Sequence, residues 1–430
     1  MTKQIRWLNR EISAWQSEQL ISDQQATQIR ARYAVGENPS GWDKLIFPVM
    51  GAVVFGLGII LFFAYNWADL HKYQKLAVVF GSLLTVHGLG YYINRSVPAK
   101  KGLAEGMHVL GTMLFGAGIW LIAQIYHLDE HYPTGLLAWG LGALLFAWVL
   151  PSVAQGLIAV VLFSLWSGVE IVDFRQTFHT SWLTILVGLV PLAWMMRSRA
   201  LLFFSLLAFS ILFIYNIAEN RSSILNYLPF FLACLYMALA NLVIPSRFPE
   251  SASVLHFIGF ATYMFCLYLF SFEFHGGYFS RHSSYQWGSL AYYFTPITVS
   301  SIAWLTVFTQ TWLHLSKLQR WEAYLIWSAM SLVTAASLIP IQSNVFGFSL
   351  LLNSIYLGHC IVLIKQGIQK VSWKRVSLGC ILMAALLVVR FADLFGSLLI
   401  RALLFVLLGI GLFTVGHFYT QQKQRETADA

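Results

Sequence analysis

Long apolar segments alternate with short polar connections along almost the whole chain. Each segment has 16 to 22 residues, close to the roughly 20 residues that a helix needs to cross a hydrocarbon core about 30 Å thick. The pattern therefore predicts an all-α fold, a polytopic helical bundle of about 14 transmembrane helices within a range of roughly 12 to 15. The predicted segments are 45–65, 73–93, 107–126, 135–150, 153–172, 181–196, 201–218, 224–244, 252–272, 293–313, 321–339, 345–364, 371–389 and 398–419.

The connections give the chain a direction across the membrane. Under this threading, 20 of the 27 Lys and Arg residues fall in the termini and the even-numbered loops. Basic loops stay in the cytoplasm, so both termini are predicted to be cytoplasmic. The least regular point is the fourth and fifth segments, which are joined almost directly at Pro151 and form either two spans or a re-entrant pair.

The first 44 residues predict a small cytosolic helical hairpin. Ser22 and Gln25 have the spacing of a capping box, in which the side chain of each residue accepts a hydrogen bond from the backbone N–H of the other. The domain plan is therefore a hairpin at 1–44, a transmembrane domain at 45–420 and a cytosolic tail at 421–430. The apolar positions that recur with helical spacing are Ile5, Leu8, Ile12 and Trp15 in the first helix, and Ala26, Ile29 and Tyr33 in the second.

Composition agrees with this class and excludes others. Apolar residues make up 58% of the chain and charged residues 10%, against about 45–50% and 25% in soluble globular proteins, which excludes a water-soluble fold. The net charge of +9 is explained by the basic loops, so we expect no nucleic-acid partner. The four cysteines form no CxxC pair, and no catalytic or cofactor-binding motif occurs. We therefore expect neither a metal nor a cofactor, and favour a protein that is not an enzyme.

A glycine pattern repeats between the first and third segments. Gly51, Gly56 and Gly58 match a second set of three at a constant offset of 60 residues. Because glycine has no Cβ, it lets helix backbones approach closely in lipid. We favour helix packing for these glycines over ligand contact. The second set is Gly111, Gly116 and Gly118.

Several segments resemble a known family. They are Trp15, Leu20-Ile21-Ser22 and Arg32-Tyr33, the glycine-rich first span ending Ala64-Tyr65-Asn66-Trp67, Lys75-Leu76-Ala77, Ala123-Gln124-Ile125-Tyr126-His127, and Arg390-Phe391-Ala392-Asp393. Together they resemble the bacterial predicted membrane proteins grouped as domain of unknown function 2157. The resemblance covers roughly the first 150 and the last 40 residues. It implies a protein of the bacterial inner membrane without assigning it a biochemical role.

Ionisable residues within apolar segments are the first functional candidates, because each costs at least about 2.5–3.5 kcal/mol to insert when charged. His87, Glu105, His108 and Glu170 form a candidate polar pathway. Glu105 and His108 are three residues apart and share one helix face. Lone histidines, including His256 and His359, have a plainer interpretation as hydrogen-bonding links between helices.

A second candidate lies near the predicted outer face. Arg390 and Asp393 have ion-pair spacing, and Arg401 begins the last span. They form either an anion or lipid-headgroup site or an interfacial anchor.

These features leave three functions open. The first is a transporter-like or flippase-like role for a small molecule or a lipid-linked substrate. The second is a membrane scaffold or sensor that binds a protein partner through residues 1–44. The third is a membrane enzyme acting on lipid-linked glycans, with its site formed by the outer loop 273–292 and Arg390. We favour the first, because long multi-span chains without a soluble catalytic domain most often move a substrate, and we expect the lipid bilayer itself to be the main partner.

Overall fold

A computed structural model describes the chain over residues 11–13, 15–34, 50–51, 54–55, 57–58, 61, 71–96, 101–127, 131–175, 180–219, 227–270, 287–310, 312–338, 345–394 and 398–428. Within these ranges the regular structure is helical and no strand occurs. The predicted all-α class is therefore confirmed over the described part of the chain. The loop 273–292 lies outside it except for the helical backbone from Trp287 onward.

The helices follow one another with short connections. They are α1 Asp23–Ala34, α2 Lys72–Ser96, α3 Lys101–Tyr126, α4 Pro133–Val149, α5 Val153–Val172, α6 Ser181–Met195, α7 Arg199–Glu219, α8 Leu228–Leu242, α9 Ser251–Phe270, α10 Trp287–Gln310, α11 Lys317–Leu338, α12 Val345–Gln369, α13 Trp373–Leu394 and α14 Leu398–Ala428. A π-helical turn, Ile185–Leu189, interrupts α6 just before Pro191, which lacks the N–H needed for a regular helical bond.

The apolar helices identify a helical membrane protein. Among the described residues, five are long and apolar enough to cross a bilayer, namely α2, α3, α5, α9 and residues 347–369 of α12. Helices α4, α6 and α8 are apolar but shorter. Each predicted segment from 73–93 onward coincides with one of α2 to α14, whereas most of 45–65 lies outside the described residues. The total of about 14 crossings remains a prediction.

Two compact units divide the chain, Met1–Val169 and Glu170–Ala430. In the first unit, α2 and α3 form an antiparallel hairpin and α4 packs on α3. Near its start, Ser22 N–H donates to Gln25 Oε1 at 2.9 Å and Gln25 N–H donates to Ser22 Oγ at 3.3 Å. The predicted capping box is thereby confirmed. Ile12 and Ala26 are fully buried, while Ile5, Leu8 and the linker 36–41 lie outside the described residues, so the hairpin as a whole stays a prediction.

The second unit has a continuous apolar core. Helix α8 packs against α9 and α10, and α12 packs against α9, α11 and α13. Trp304 is 1% exposed, and its indole Nε1–H donates to the backbone oxygen of Cys234 at 3.0 Å. Tyr263 and Tyr356 are also buried there. The Tyr263 hydroxyl lies 3.0 Å from His359 Nε2, and the Tyr356 hydroxyl donates to the backbone oxygen of Leu382 at 3.4 Å. The polar groups of these three aromatic residues are thus satisfied inside an otherwise apolar core, which fixes the positions of α9, α10 and α12.

Candidate functional site

Two histidine rings face each other across the α2–α3 hairpin. His87 Nδ1 lies 3.3 Å from His108 Nδ1, and the ring centroids are 5.6 Å apart with planes inclined by 25°. His108 is 9% exposed and His87 is partly buried. The pair lies nine residues before the end of α2 and seven after the start of α3, which is about 10–14 Å along each helix. It is therefore within the apolar part of both helices.

Each ring occupies the space that a glycine leaves open on the opposite helix. A Cβ on Gly111 would overlap the His87 ring, and a Cβ on Gly90 would stand 2.9 Å from His108 Cε1. His87 also stacks on Phe146 of α4, with centroids 4.4 Å apart and planes inclined by 4°. The two glycines and the aromatic ring thus hold both imidazoles in place.

The contact between the rings limits how many protons the pair carries. Because both facing atoms are Nδ1, one of them must carry the hydrogen and the other must accept it. Two neutral rings satisfy this with opposite tautomers, and one added proton on the free Nε2 satisfies it as well. Two imidazolium rings would place hydrogen against hydrogen. The intact pair therefore holds a net charge of zero or one.

A second polar group lies one turn further along α3. Thr112 Oγ1 is 3.1 Å from the His108 backbone oxygen and 2.8 Å from Gln155 Oε1. One hydroxyl hydrogen cannot serve both acceptors, so turning the Gln155 amide over, with Nε2 donating to Thr112, gives a consistent arrangement. Gln155 is fully buried, and the amide end that faces away from Thr112 has no partner among the described residues.

Glu105 has a different partner from the one that its spacing predicts. Its carboxylate accepts a short hydrogen bond from Ser152 Oγ, and Ser152 Oγ accepts from the backbone N–H of Gln155 at 3.2 Å. Ser152 thereby caps the start of α5. A carboxylate near a helix N-terminus is stabilised by the helix dipole. Glu105 thus ties α3 to α5, while His108 is paired with His87.

The remaining predicted residues are dispersed. Glu170 is buried and lies fifteen residues beyond Gln155 on the same helix, about 22 Å along its axis. Arg390 and Asp393 fall in α13 and Arg401 in α14, but their side chains are outside the described part, so their ion pair and anion site remain predictions.

The predicted packing glycines differ in their surroundings. A Cβ on Gly116 would overlap the Trp139 ring, and one on Gly118 would stand 2.8 Å from Val79 Cγ1. At Gly51 and Gly58 no described atom lies within 4 Å, and Gly56 is outside the described residues. Close packing is therefore seen at the second set of the repeat.

An open cavity of about 660 Å³ lies at the other end of α3. Trp120 and Ala123 line it from α3, and His131 and Tyr132 from the start of α4. This volume is within the range of about 300–1,000 Å³ usual for small-molecule sites. Helix α3 therefore carries the histidine pair near one end and a cavity near the other.

The second unit contains a largely buried carboxylate that sequence reasoning missed. Glu322 of α11 has 13% of its side chain exposed. Its Oε1 lies 3.2 Å from His256 Nε2 of α9, and its Oε2 accepts from Gln366 Nε2 of α12 at 3.2 Å. Nearby, Tyr263 Oη lies 3.0 Å from His359 Nε2. Both histidines thus connect helices through hydrogen bonds, as the plainer sequence interpretation expects.

Glu322 lines two spaces. A small cavity of about 40 Å³ is bounded by Glu322, His256 and Asn241. An open pocket of about 520 Å³ is lined by the same carboxylate and extends to Lys370 and Arg375. Within the described residues, no three His, Cys, Asp or Glu side chains are grouped closely enough to hold a metal ion.

Comparison with known proteins places the first of these sites in a family region. Residues 13–156 match the family described as predicted membrane protein (DUF2157), which confirms the resemblance over that part of the chain. The match includes both histidines of the pair and ends before the second unit begins. No curated protein and no solved structure matches the chain.

Proposed function

We propose that this membrane protein moves a small molecule or a lipid-linked substrate across the bilayer and couples that movement to protons through His87 and His108. The observation that supports this is the 3.3 Å contact between the two Nδ1 atoms. An ionisable pair inside apolar helices is costly to keep, and imidazole is the side chain that exchanges protons near neutral pH.

The pair supports a proton step without any rearrangement of the helices. A proton taken up at the free Nε2 of one ring makes that ring an imidazolium. Its Nδ1 hydrogen then passes to the facing Nδ1 of the partner ring, which releases its own Nε2 hydrogen. One proton enters and one leaves, and the pair returns to neutral rings with their tautomers exchanged.

The cavity beside Trp120 and His131 supplies the second element that a coupled transporter needs. It is of small-molecule size and shares helix α3 with the pair. A rigid helix that contacts both a proton site and a substrate site can link their occupancies. We further propose the orientation predicted from the loops, with both termini in the cytoplasm of a bacterial cell and about 14 crossings.

The alternatives make different demands on the same residues. If the histidines only connect α2 to α3, asparagine should replace either of them without loss of function, because its amide keeps a hydrogen-bonding atom at the Nδ1 position. A scaffold that acts through residues 1–44 should also tolerate that change. An enzyme using the loop 273–292 should be indifferent to it. Replacement of histidine by asparagine therefore separates proton coupling from all three alternatives.

The test uses the full-length protein reconstituted into liposomes with an imposed pH gradient. Two probes are followed, the internal pH by a trapped fluorescent indicator and the movement of a fluorescent short-chain phosphatidylglycerol between leaflets. We expect His87→Asn and His108→Asn to abolish the dependence of lipid movement on the imposed pH gradient. His417→Asn should preserve that dependence, because His417 is an exposed residue of α14. Equal gradient dependence in all three variants would refute proton coupling by the pair, and movement of neither probe in the unaltered protein would count against the transport role.

A further inference from the structure

The open pocket of the second unit is shaped by a tight turn between α12 and α13. Ser372 N–H donates to the backbone oxygen of Gly367 at 2.8 Å, and Val371 N–H donates to that of Ile368 at 3.2 Å. These two bonds, with Val371 at a φ of 43°, form a Schellman motif. The chain reverses within a few residues, which brings Lys370 to the same pocket as Arg375.

A glycine allows this reversal to be so close. A Cβ on Gly367 would stand 2.7 Å from the backbone nitrogen of Val376 and 3.1 Å from Arg375 Cβ. The start of α13 therefore packs directly on the end of α12. The positions of both basic residues follow from this backbone contact and do not depend on flexible loops.

The charges around the pocket are unevenly arranged. Lys370 and Arg375 lie at its exposed mouth, and no hydrogen bond or ion pair of either side chain is found in the described ranges. The inner end holds Glu322, whose two oxygens are already engaged by His256 and Gln366. An anion is therefore favoured at the mouth, while the inner end offers carboxylate and amide groups that suit hydroxyl groups.

One wall of the pocket is apolar and open to the surroundings. Phe257 of α9 is 63% exposed and Leu378 of α13 is 44% exposed, and both line the pocket. In an apolar helical bundle, exposed side chains of this kind contact lipid chains. A ligand in this pocket thus meets basic groups, polar groups and hydrocarbon at the same time, which are the surroundings of an amphiphile.

We infer that this pocket binds an acidic phospholipid whose headgroup carries hydroxyl groups. Lys370 and Arg375 hold the phosphate, with Arg375 presenting a planar fork that suits phosphate oxygens. The hydroxyl groups reach inward to Glu322 and Gln366, and an acyl chain follows Phe257. The volume of about 520 Å³ is within the usual range for a whole ligand, so the pocket accommodates more than a phosphate. The inference is independent of proton coupling in the first unit.

The test is native mass spectrometry of the full-length protein with defined lipids, supported by titration in detergent micelles. The probes are dioleoyl phosphatidylglycerol, dioleoyl phosphatidic acid, dioleoyl phosphatidylethanolamine and free glycerol 3-phosphate. We expect phosphatidylglycerol to bind most tightly. The double variant Lys370→Gln with Arg375→Gln should weaken its binding at least about 10-fold, which corresponds to about 1.4 kcal/mol. The matched control, Lys374→Gln with Arg425→Gln, removes the same charge from exposed positions outside the pocket and should change binding less than about 2-fold.

A third variant tests the inner end of the pocket. Glu322→Gln should reduce the preference for phosphatidylglycerol over phosphatidic acid, because Gln366 then loses its charged acceptor and the hydroxyl contact weakens. Equal loss of binding in the pocket variant and its control would overturn the inference, since that result means nonspecific attraction of anionic lipid to basic residues. Free glycerol 3-phosphate binding as tightly as the lipid would also overturn it, by showing that the ligand is a soluble phosphate ester.

Discussion

Adding one methyl group at Gly111 tests whether the histidine pair depends on the space that this glycine provides. A Cβ there would overlap the His87 ring, so the ring must turn away and the 3.3 Å contact to His108 must break. The control is Gly81→Ala on α2, where no described atom lies within 4 Å of the new carbon. The two variants make the same chemical change in a helix interior.

The magnitudes favour a clear difference between the two variants. Alanine is preferred over glycine in a helix by about 0.5–1 kcal/mol, so Gly81→Ala should leave stability unchanged or raise it by that amount. At Gly111 the same gain is opposed by overpacking, which costs about 1–3 kcal/mol, and by loss of an interhelical hydrogen bond worth about 0.6 kcal/mol in membranes. Overpacking is the larger effect. We expect Gly111→Ala to lower the free energy of unfolding by about 1–3 kcal/mol.

Two measurements check this expectation. Unfolding in mixed micelles, followed by steric trapping or by denaturing detergent, gives the free energy difference between the variants. Magnetic resonance of protein with ¹⁵N-labelled histidine reports the coupling between the two Nδ1 atoms directly. If Gly111→Ala and Gly81→Ala are equally stable and the coupling persists in both, the space at Gly111 is not needed by the His87 ring and the geometry of the pair is misassigned.

Three further predictions follow, two from buried hydrogen bonds and one from the predicted orientation in the membrane. Thr112→Val should destabilise the first unit by about 1–3 kcal/mol because it leaves the buried Gln155 amide without its partner. Thr85→Val should have little effect in the same unfolding assay, because the Thr85 hydroxyl bonds only its own helix at an exposed position. Trp304→Phe should lower the free energy of unfolding by about 1–3 kcal/mol, because the hydrogen bond to a buried carbonyl is lost and the indole leaves a space. The same change at Trp321, which is 54% exposed, should be nearly neutral by thermal unfolding. A cysteine placed at Gln422 should react with a membrane-impermeant maleimide only after the cells are opened, and labelling in intact cells would reverse the predicted orientation.

Much of the helical framework could be predicted from the sequence, because the thickness of the bilayer and the position of polar connections limit where a helix begins and ends. The predicted segment 153–172 has the same bounds as α5, since Pro151 and Ser152 stop one helix and cap the next. The Ser22 and Gln25 pair was also predicted correctly, because a capping box depends on four consecutive residues alone. Local patterns of this kind need no knowledge of neighbouring helices.

The histidine pair shows where local reasoning stops. Spacing along one helix joined His108 to Glu105, but its ring contacts His87, 21 residues earlier on the antiparallel helix. That contact depends on how α2 and α3 are aligned against each other, which places His87 opposite Gly111 and His108 opposite Gly90. The glycine repeat directed attention to Gly111, whereas Gly90 is not part of the repeat and its role could not be inferred from one chain.

Glu322 shows the same limit more strongly, because its charge was visible in the sequence but its depth was not. The predicted segment begins at Trp321 and makes Glu322 its second residue, which no candidate site includes, whereas α11 begins at Lys317 and puts the carboxylate more than one turn inside the helix. Its partners are 66 and 44 residues distant in sequence. A carboxylate at such a depth is retained only where polar groups from other helices satisfy it. A charged residue within the first two turns of an apolar helix is therefore a better search criterion than a charge at its centre, because the helix end is where lipid headgroups, water and neighbouring polar side chains all reach it.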